Sequence, residues 1–234
     1  MIHLACFSDS RMTISQQKLV ASAKQFGVDE CHVWRETDLP KWFNDYFKDV
    51  LKEEKGYGLY CWKPTVVFET MQSLNDGDIL IYADSGQEFI APVQYVIDEM
   101  KEDIFLFTNC WPHQDWCKMD LMQEVNGCAT GSAPQVQASL MFFRISNRSR
   151  QLIEEWAMRT LKISNIDNSQ SKLPNVPTFA ETRWDQSIIS SIAIRDKVKM
   201  NWFPSTTFMN KQYEFDNRYP PIVSHHRKRD SEWD

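Results

Sequence analysis

The sequence has no long hydrophobic stretch. None of its apolar runs approaches the ~18 residues that a membrane-spanning helix requires, so a transmembrane protein is not predicted. The first residues lack the basic segment and following apolar run of a secretory signal peptide. Internal repeats and low-complexity segments are also missing. We therefore expect a soluble, cytoplasmic protein.

Paired cysteines and excess positive charge are missing too. The six cysteines form no C-x-x-C pair and no spacing typical of zinc ligands, which favours small buried side chains in a reducing compartment. They are Cys6, Cys31, Cys61, Cys110, Cys117 and Cys128. The formal net charge is −6 and the pI is near 5.4, so nucleic-acid binding is not expected. An anionic ligand would have to meet a local basic cluster or a metal ion.

Aromatic residues and alternating secondary structure are what the chain does contain. Its 234 residues are 13% aromatic, which indicates a folded chain. Residue patterns predict strands at 3–8, 30–35, 79–83, 104–108 and 137–144, and helices at 15–26, 39–51, 65–74, 92–100, 119–125, 147–161 and 187–194. Alternating strands and helices in the first half favour an α/β fold with a parallel sheet.

Asp84 follows the short apolar strand predicted at 79–83. Ligands of open α/β sheets collect outside the carboxyl ends of the strands. A carboxylate there, beside Gly86, is well placed to hold a divalent cation. The alternative is that Asp84 only caps the next turn.

A loop rich in glycine and aromatic residues runs from Gly56 to Pro64. Pro64 suits the first turn of the following helix, so Lys63 is predicted at a helix N-terminus. Anions are favoured there by the lysine and by the unpaired backbone amides. The alternative is an ordinary exposed lysine.

A basic group, His225-His226-Arg227-Lys228-Arg229, lies near the end of this acidic chain. A solvated surface segment is the usual interpretation of such a run. Histidine is also a common metal ligand, and arginine suits phosphate oxygens.

Three motifs together resemble GT-A-type glycosyltransferases. They are G-Y-G-L-Y-C-W-K-P from Gly56, G-D-I-L-I-Y-A-D-S-G from Gly77, and the helix-opening D-Q-S-I from Asp185. Their order and spacing are similar to a group found in bacterial surface-polysaccharide clusters and in large algal viruses that glycosylate their capsid proteins. The resemblance covers roughly residues 1–229, and the first two motifs are its specific part.

The resemblance implies a single GT-A-like (Rossmann-like) domain over residues 1–234, with a mixed, mostly parallel central sheet flanked by helices. Residues 1–108 would be mainly the nucleotide-sugar-binding half and 109–224 mainly the acceptor half, followed by a basic tail at 225–234. A viral member would act in the host cytoplasm.

The implied activity is that of a hexosyl- or deoxyhexosyltransferase. Its donor would be a nucleotide sugar, expected to be UDP-linked, and its acceptor a hydroxyl of an oligosaccharide or other glycan. A Mn²⁺ or Mg²⁺ ion would sit on the donor diphosphate. Asp84-Ser85-Gly86 occupies the place of the D-x-D element, but Gly86 replaces the second acidic residue, so metal dependence is open. The implied metal ligands are Asp84 with His225 or His226.

Donor binding is assigned by the same resemblance. The first strand and its loop would hold the base and phosphates through Cys6, Phe7, Ser8 and Arg11. The remaining donor contacts would be Lys63, Asp84, Ser85, Gly86 and Arg227.

An acceptor hydroxyl needs a proton acceptor, either a carboxylate or a leaving-group oxygen. Asp185 is the first candidate for a base in an inverting transfer and Asp115 the alternative. In a retaining transfer Asp185 would instead orient the acceptor. Trp111, Trp116 and Trp184 either stack on sugars or pack in the core.

Two other functions are compatible with parts of the pattern. A metal-dependent phosphohydrolase also uses Asp after a strand, but the chain lacks a second nearby acidic residue and a phosphate-binding G-x-x-x-x-G-K-[ST] loop. A carbohydrate- or nucleotide-binding domain of the same fold with weak or no catalysis would explain the missing acidic residue.

Overall fold

The computed structural model describes residues 1–127, 132–205, 207–208, 211–212 and 218–233. The strands are β1 (Ile2–Ser8), β2 (Glu30–Arg35), β3 (Ile79–Ala83), β4 (Gln87–Phe89), β5 (Ile104–Pro112), β6 (Pro134–Arg144), β7 (Met200–Trp202), β8 (Thr207–Phe208), β9 (Lys211–Gln212) and β10 (Val223–His225). The helices are α1 (Thr13–Gln25), α2 (Lys41–Tyr46), α3 (Gly56–Leu59), α4 (Trp62–Gln72), α5 (Gln94–Ile97), α6 (Met119–Asn126), α7 (Asn147–Thr160) and α8 (Trp184–Arg195). Within these ranges, no helix has both the length and the apolar character needed to cross a membrane.

A six-stranded sheet in the order β2-β1-β3-β6-β5-β7 forms the centre of the fold. Pairs β1–β2, β1–β3 and β5–β7 are parallel, and β6 runs antiparallel to both of its neighbours. The predicted mixed, mostly parallel sheet is thus confirmed. All five residues of β3 are buried. Leu80 and Tyr82 enter the core on one face of the sheet, and Ile79, Ile81 and Ala83 enter the core on the other.

The strand order reverses beside β1. The chain passes from β1 to β2 on one side and returns to β3 on the other side. Such a reversal opens a crevice outside the carboxyl ends of the two strands, where ligands of open α/β sheets bind. Ser8 ends β1 and Asp84 follows β3, so both residues lie at this crevice.

Two predicted helices are shorter than their apolar spacing suggested. The segment 39–51 contains α2 and a separate 3₁₀ turn, Val50–Lys52. The predicted helix at 92–100 is reduced to the single turn of α5. In the first of these segments Phe43 and Phe47 are fully buried, whereas Tyr46 is exposed, so only part of its aromatic stripe faces the core.

The C-terminal segment 223–233 is folded against the rest of the chain. Strand β10 pairs with β4, with His225 opposite Gln87. Further along, the Asp230 carboxylate accepts hydrogen bonds from the backbone N–H groups of Thr13 (2.9 Å) and Ile14 (2.8 Å). These groups open α1 and have no partner within the helix. The segment that carries the basic run is therefore held against the fold and is not a free tail, but the side chains of Arg227, Lys228 and Arg229 are exposed to solvent.

Candidate active site

Two adjoining pockets lie at the crevice between β1 and β3. The β1 pocket is lined by the ends of β1 and β3 and by α3, including Phe7, Ser8, Arg11, Ser85 and Gly86. The α8 pocket is lined by the start of α8 and by Asn109, Trp111, Gln137 and Ser139. Their empty volumes, part of which is open to solvent, are about 840 and 700 Å³.

Four residues line both pockets and therefore stand at the boundary between them: Tyr60, Asp84, His225 and Arg227. They come from the loop before α4, the end of β3 and the segment at the end of β10. A ligand that extends through both pockets would pass these side chains. The boundary is thus the place where a bond between two parts of such a ligand would lie.

Lys63, which lines the α8 pocket, links the carboxylate of Asp84 at the boundary to the carboxylate of Asp185 in the α8 pocket. Its Nζ lies 3.0 Å from Oδ1 of Asp84 and 3.5 Å from Oδ2 of Asp185. It also donates a hydrogen bond to the backbone oxygen of Ala138 at 3.1 Å. Tyr82 donates its hydroxyl to the same Oδ1 of Asp84 at 2.7 Å. Lys63 is buried, so the exposed lysine considered from the sequence is excluded.

Burial and the attraction between opposite charges together set the pKa values of Lys63 and Asp185. Burial opposes the charged form of Lys63, but the carboxylates of Asp185 and Asp84 outweigh it and raise the lysine pKa. Burial also raises the pKa of Asp185 to about 7, with Lys63 acting in the opposite direction. Oδ2 of Asp185 is buried and accepts no hydrogen bond. A buried carboxylate that lines a pocket and has one oxygen held only by a long ion pair, here the 3.5 Å contact with Lys63, is a candidate for proton transfer.

The single turn α3 and the residue that follows it, Tyr60, have an unusual backbone conformation that is not that of a regular right-handed helix. All five residues have positive φ angles, between 48° and 76°. For non-glycine residues this left-handed conformation costs about 1–2 kcal/mol each. The glycines are also needed for packing, because a Cβ on Gly58 would lie 2.8 Å from the Leu51 side chain. Strained backbone of this kind concentrates at functional sites, and here it places Tyr60 against both pockets.

The structure separates the two candidate histidines. His225 lines both pockets with Asp84, and burial lowers its pKa to about 4. His226 lines neither pocket. Its ring packs edge-on against Trp233 and its Nε2 lies 3.8 Å from the Glu88 carboxylate. Of the two histidines, only His225 is placed to bind the same ligand as Asp84.

The C-terminal segment explains why position 86 is a glycine. The backbone N–H of Arg227 donates to the Gly86 oxygen at 2.8 Å. A Cβ at position 86 would lie 2.9 Å from Cα of Arg227, so a side chain has no room. The glycine admits the chain's own backbone and brings Arg227 to the pockets.

The residues of the first strand divide between two environments. Phe7 and Ser8 line the β1 pocket, where Phe7 stacks on Trp62 with ring centroids 3.9 Å apart. Arg11 lines it as well and forms an ion pair with Asp9 at 2.5 Å. Cys6 does not line the pocket, since its side chain belongs to the core on the opposite face of the sheet from Phe7.

Asp115 is not brought to the two pockets. It lies in a 3₁₀ turn after β5 and accepts a hydrogen bond from the Thr178 hydroxyl. Trp111 and Trp116 stack on each other with centroids 4.8 Å apart, and Arg183 lies 4.3 Å above Trp116. Of the two rings, Trp111 borders the α8 pocket.

Tyr82 and Gln186 belong to the motifs identified in the sequence, but no site role was predicted for either. Tyr82 had a usable signal, because residues two apart on a strand point to the same side and Asp84 follows two positions later. Gln186 lines the α8 pocket next to Asp185. Its amide donates to Oε1 of Gln135 at 2.7 Å, a contact between α8 and β6 that only tertiary packing creates.

Asp84 and His225 are the side chains that fit a divalent cation at the pocket boundary. Carboxylate oxygen and neutral imidazole are both suitable donors. Within the described part of the chain, the one group of three acidic, histidine or cysteine ligands lies elsewhere. Magnesium typically binds one or two carboxylates together with substrate phosphates. The residues thus fit a cation shared with a phosphorylated ligand, and they do not fit one held by protein alone.

Comparisons with known proteins bear on the fold. No protein-family model matches the chain, and neither does any curated protein sequence. Among solved structures, the chain is similar to mouse xyloside xylosyltransferase 1 in its apo form, with a TM-score of 0.50 and 10% identity over 96% of this chain and 97% of that one. A second similar structure is the apo bifunctional glycosyltransferase WbbM, with a TM-score of 0.49 and 11% identity, in which 82% of this chain covers 37% of the other. The first likeness shows that the chain has the fold of a glycosyltransferase.

Proposed function

We propose that the protein is a glycosyltransferase that moves a sugar from a nucleotide sugar, UDP-linked in our proposal, to a hydroxyl of a glycan acceptor. The observation that carries this proposal is the Lys63 bridge between Asp84 and Asp185, at the boundary of two pockets. One pocket would hold the nucleotide and the other the sugar and acceptor. The fold shared with a xylosyltransferase supports the same conclusion.

The β1 pocket suits the nucleotide. Phe7 and Trp62, stacked on each other, form part of the apolar wall of this pocket near the end of β1. Arg227 at the boundary and Arg229 in the β1 pocket offer positive charge in a protein whose net charge is −6. Arginine forms paired hydrogen bonds with phosphate oxygens, so these side chains would bind the donor diphosphate.

A Mn²⁺ or Mg²⁺ ion, when bound, would stabilise the negative charge that develops on the departing diphosphate. Asp84 and His225 would hold it together with the diphosphate. Lys63 and Tyr82 both contact Oδ1 of Asp84. They fix the orientation of this carboxylate and leave Oδ2 for the ligand.

Asp185 would serve the acceptor. It lines the α8 pocket, and burial raises the pKa of its carboxyl group to about 7. A base of this strength can take the acceptor hydroxyl proton near neutral pH as the oxygen attacks the sugar. In a retaining transfer the leaving oxygen takes that proton, and Asp185 would orient the acceptor. Asp115, the alternative base, lies outside both pockets.

The narrower assignments rest on sequence resemblance and remain predictions. They include the bacterial and algal-virus group, the hexosyl- or deoxyhexosyltransferase class, the cytoplasmic location and the division into a donor half at 1–108 and an acceptor half at 109–224. A catalytically weak binding domain of the same fold is the second candidate, favoured by the missing acidic residue at position 86.

The test is a screen of nucleotide sugars for hydrolysis with and without Mn²⁺. We expect turnover with one donor, and we expect Asp84→Asn to lower it about 100-fold or more, the scale of losing charge stabilisation in a transition state. Thermal shift with UDP and Mn²⁺ separates the alternatives. Coupled stabilisation without turnover would favour the binding domain, and indifference to every nucleotide would overturn both candidates.

A further inference from the structure

A cluster of three metal-ligating side chains lies on the first two strands. His3 Nδ1 is 3.2 Å from His32 Nε2 and 3.5 Å from Oε2 of Glu30. The three ligand atoms all lie within 4.8 Å of one another, and they form the one such group among the residues that the structure describes. Neither pocket of the candidate active site includes any of these residues.

Strand pairing explains how the cluster forms. In the parallel pair of β1 and β2, His3 lies opposite Glu30 and Ala5 lies opposite His32. Residues two apart on a strand project from the same face, so Glu30 and His32 both flank the His3 ring. Because the ligands come from different strands, their spacing along the chain does not resemble a zinc motif.

The two separations measured from His3 Nδ1 match a tetrahedral metal. Zinc bonds to nitrogen and oxygen measure about 2.0–2.2 Å, which places tetrahedral ligand atoms about 3.3–3.5 Å apart. The two separations measured from His3 Nδ1 are 3.2 and 3.5 Å. We propose that His3, His32 and Glu30 bind a transition-metal ion, zinc in the first place, between β1 and β2.

Asp78 lies on the side of the His3 ring where the outer contact of such a site is expected. His3 is buried, and its Nε2 neither donates nor accepts a hydrogen bond. The nearest charged group on that side is the Asp78 carboxylate, whose Oδ2 lies 3.7 Å from Nε2. A carboxylate on this side favours the proton on Nε2 and leaves the Nδ1 lone pair for the metal. Metal-binding histidines are commonly oriented in this way.

The site is far from the proposed chemistry and has a different ligand set. His3 lies near the start of β1, whereas Ser8 at the end of β1 borders the β1 pocket. Two imidazoles and one carboxylate favour zinc or a similar transition metal over Mg²⁺, which prefers oxygen ligands. The Glu30 side chain is 55% exposed, so a water molecule can complete the fourth position. A metal there would fasten the edge strand β2 to β1.

The experiment uses Co²⁺ as a spectroscopic substitute for zinc in the full-length protein after treatment with a chelator. We expect one Co²⁺ per chain with visible absorption typical of a four-coordinate site, and its displacement by one equivalent of Zn²⁺. His32→Gln should abolish the band and Glu30→Gln should weaken binding at least about tenfold. Zinc should raise the melting temperature of the wild type but not that of His32→Gln.

Two control variants distinguish this site from other side chains that could bind a metal. His113→Gln removes a buried histidine that belongs to no ligand cluster among the described residues, and Asp84→Asn removes the carboxylate proposed for the catalytic cation. Both should keep the Co²⁺ band. An unchanged band in His32→Gln, loss of the band in Asp84→Asn, or no stoichiometric binding by the wild type would overturn the proposal. None of these results depends on glycosyl transfer.

Discussion

Arg227 passes so close to Gly86 that position 86 cannot carry a side chain. The Arg227 backbone N–H donates to the Gly86 oxygen at 2.8 Å, and a Cβ on Gly86 would meet Cα of Arg227 at 2.9 Å. This contact joins the end of β3 to the C-terminal segment and sets Arg227 beside Asp84. The absence of an acidic residue at position 86 thus follows from a packing requirement, and the C-terminal segment brings His225 and Arg227 to the two pockets.

Gly86→Ala is expected to destabilise the protein by about 1–3 kcal/mol, the usual effect of an overpacked site, and to lower turnover. Gly86→Asp should be worse and should not create a paired metal site, because the space is occupied by backbone. Chemical denaturation and turnover measure both effects. Gly77→Asn is the control for a glycine substitution without overpacking, since a Cβ there meets nothing within 4 Å and only the strain of its positive φ remains, so it should cost less than Gly86→Asp. Higher activity in Gly86→Asp would contradict this account.

Lys63→Met should be strongly destabilising. It keeps much of the side-chain volume but leaves the Asp84 and Asp185 carboxylates without their shared cation, and breaking a buried pair costs about 3–5 kcal/mol. We also expect weaker nucleotide-sugar binding, measured by titration of the folded variant. Lys41→Met is the matched control, because Lys41 pairs with Asp45 on the surface, and its melting temperature should hardly change. Adding Asp185→Asn to Lys63→Met should restore part of the lost stability.

Turnover should depend on pH through Asp185. A general base acts in its deprotonated form, so kcat is expected to rise with pH and to level off above about 7, the value to which burial raises the Asp185 pKa. Asp185→Asn should remove this rise and most of the activity. Asp115→Asn should retain the pH profile of kcat, because Asp115 lies outside both pockets. A pH profile that survives in Asp185→Asn would assign the proton transfer to another group.

Acid should weaken the fold through His113. Burial lowers the pKa of His113 from its ordinary value of 6.5 to about 4, so between these values the unfolded chain binds a proton that the folded chain does not. The free energy of unfolding is therefore unaffected by His113 above pH 6.5 and falls as the pH drops toward 4. At 1.36 kcal/mol per pKa unit, the total loss is about 3 kcal/mol. Urea denaturation at several pH values should show this slope, and His113→Gln should reduce it. Equal slopes would exclude His113 as the cause.

Asp230→Ala should cost about 0.5–2 kcal/mol, the range for loss of a helix cap. Its carboxylate satisfies the N–H groups of Thr13 and Ile14 at the start of α1. Because the same segment carries Arg227, a fall in activity should accompany the fall in melting temperature. Asp45→Ala removes a surface carboxylate of the same type and serves as the control. Unchanged stability in Asp230→Ala would mean that water replaces the cap without loss.

Local patterns determined the strands that build the sheet and much of the candidate site. The predicted bounds of β2 and β3, 30–35 and 79–83, agree with the structure. For β3 the reason is that a five-residue apolar run between turn residues is too short for a typical helix and has few alternatives to a buried strand. Asp84 and Gly86 were identified for the same reason, because a polar residue directly after a buried strand must lie at its carboxyl end.

Tertiary structure decided the contacts between distant segments. The pairing of β4 with β10 joins residues more than a hundred positions apart through strands of only three residues, and such strands carry little pattern of their own. Lys63 was correctly placed near a helix start, but its burial depends on Ala138 from β6 and Asp185 from α8. His3 meets Glu30 and His32 only because β1 and β2 pair in one register. Periodicity reports which face of an element is apolar, whereas these contacts depend on which elements become neighbours.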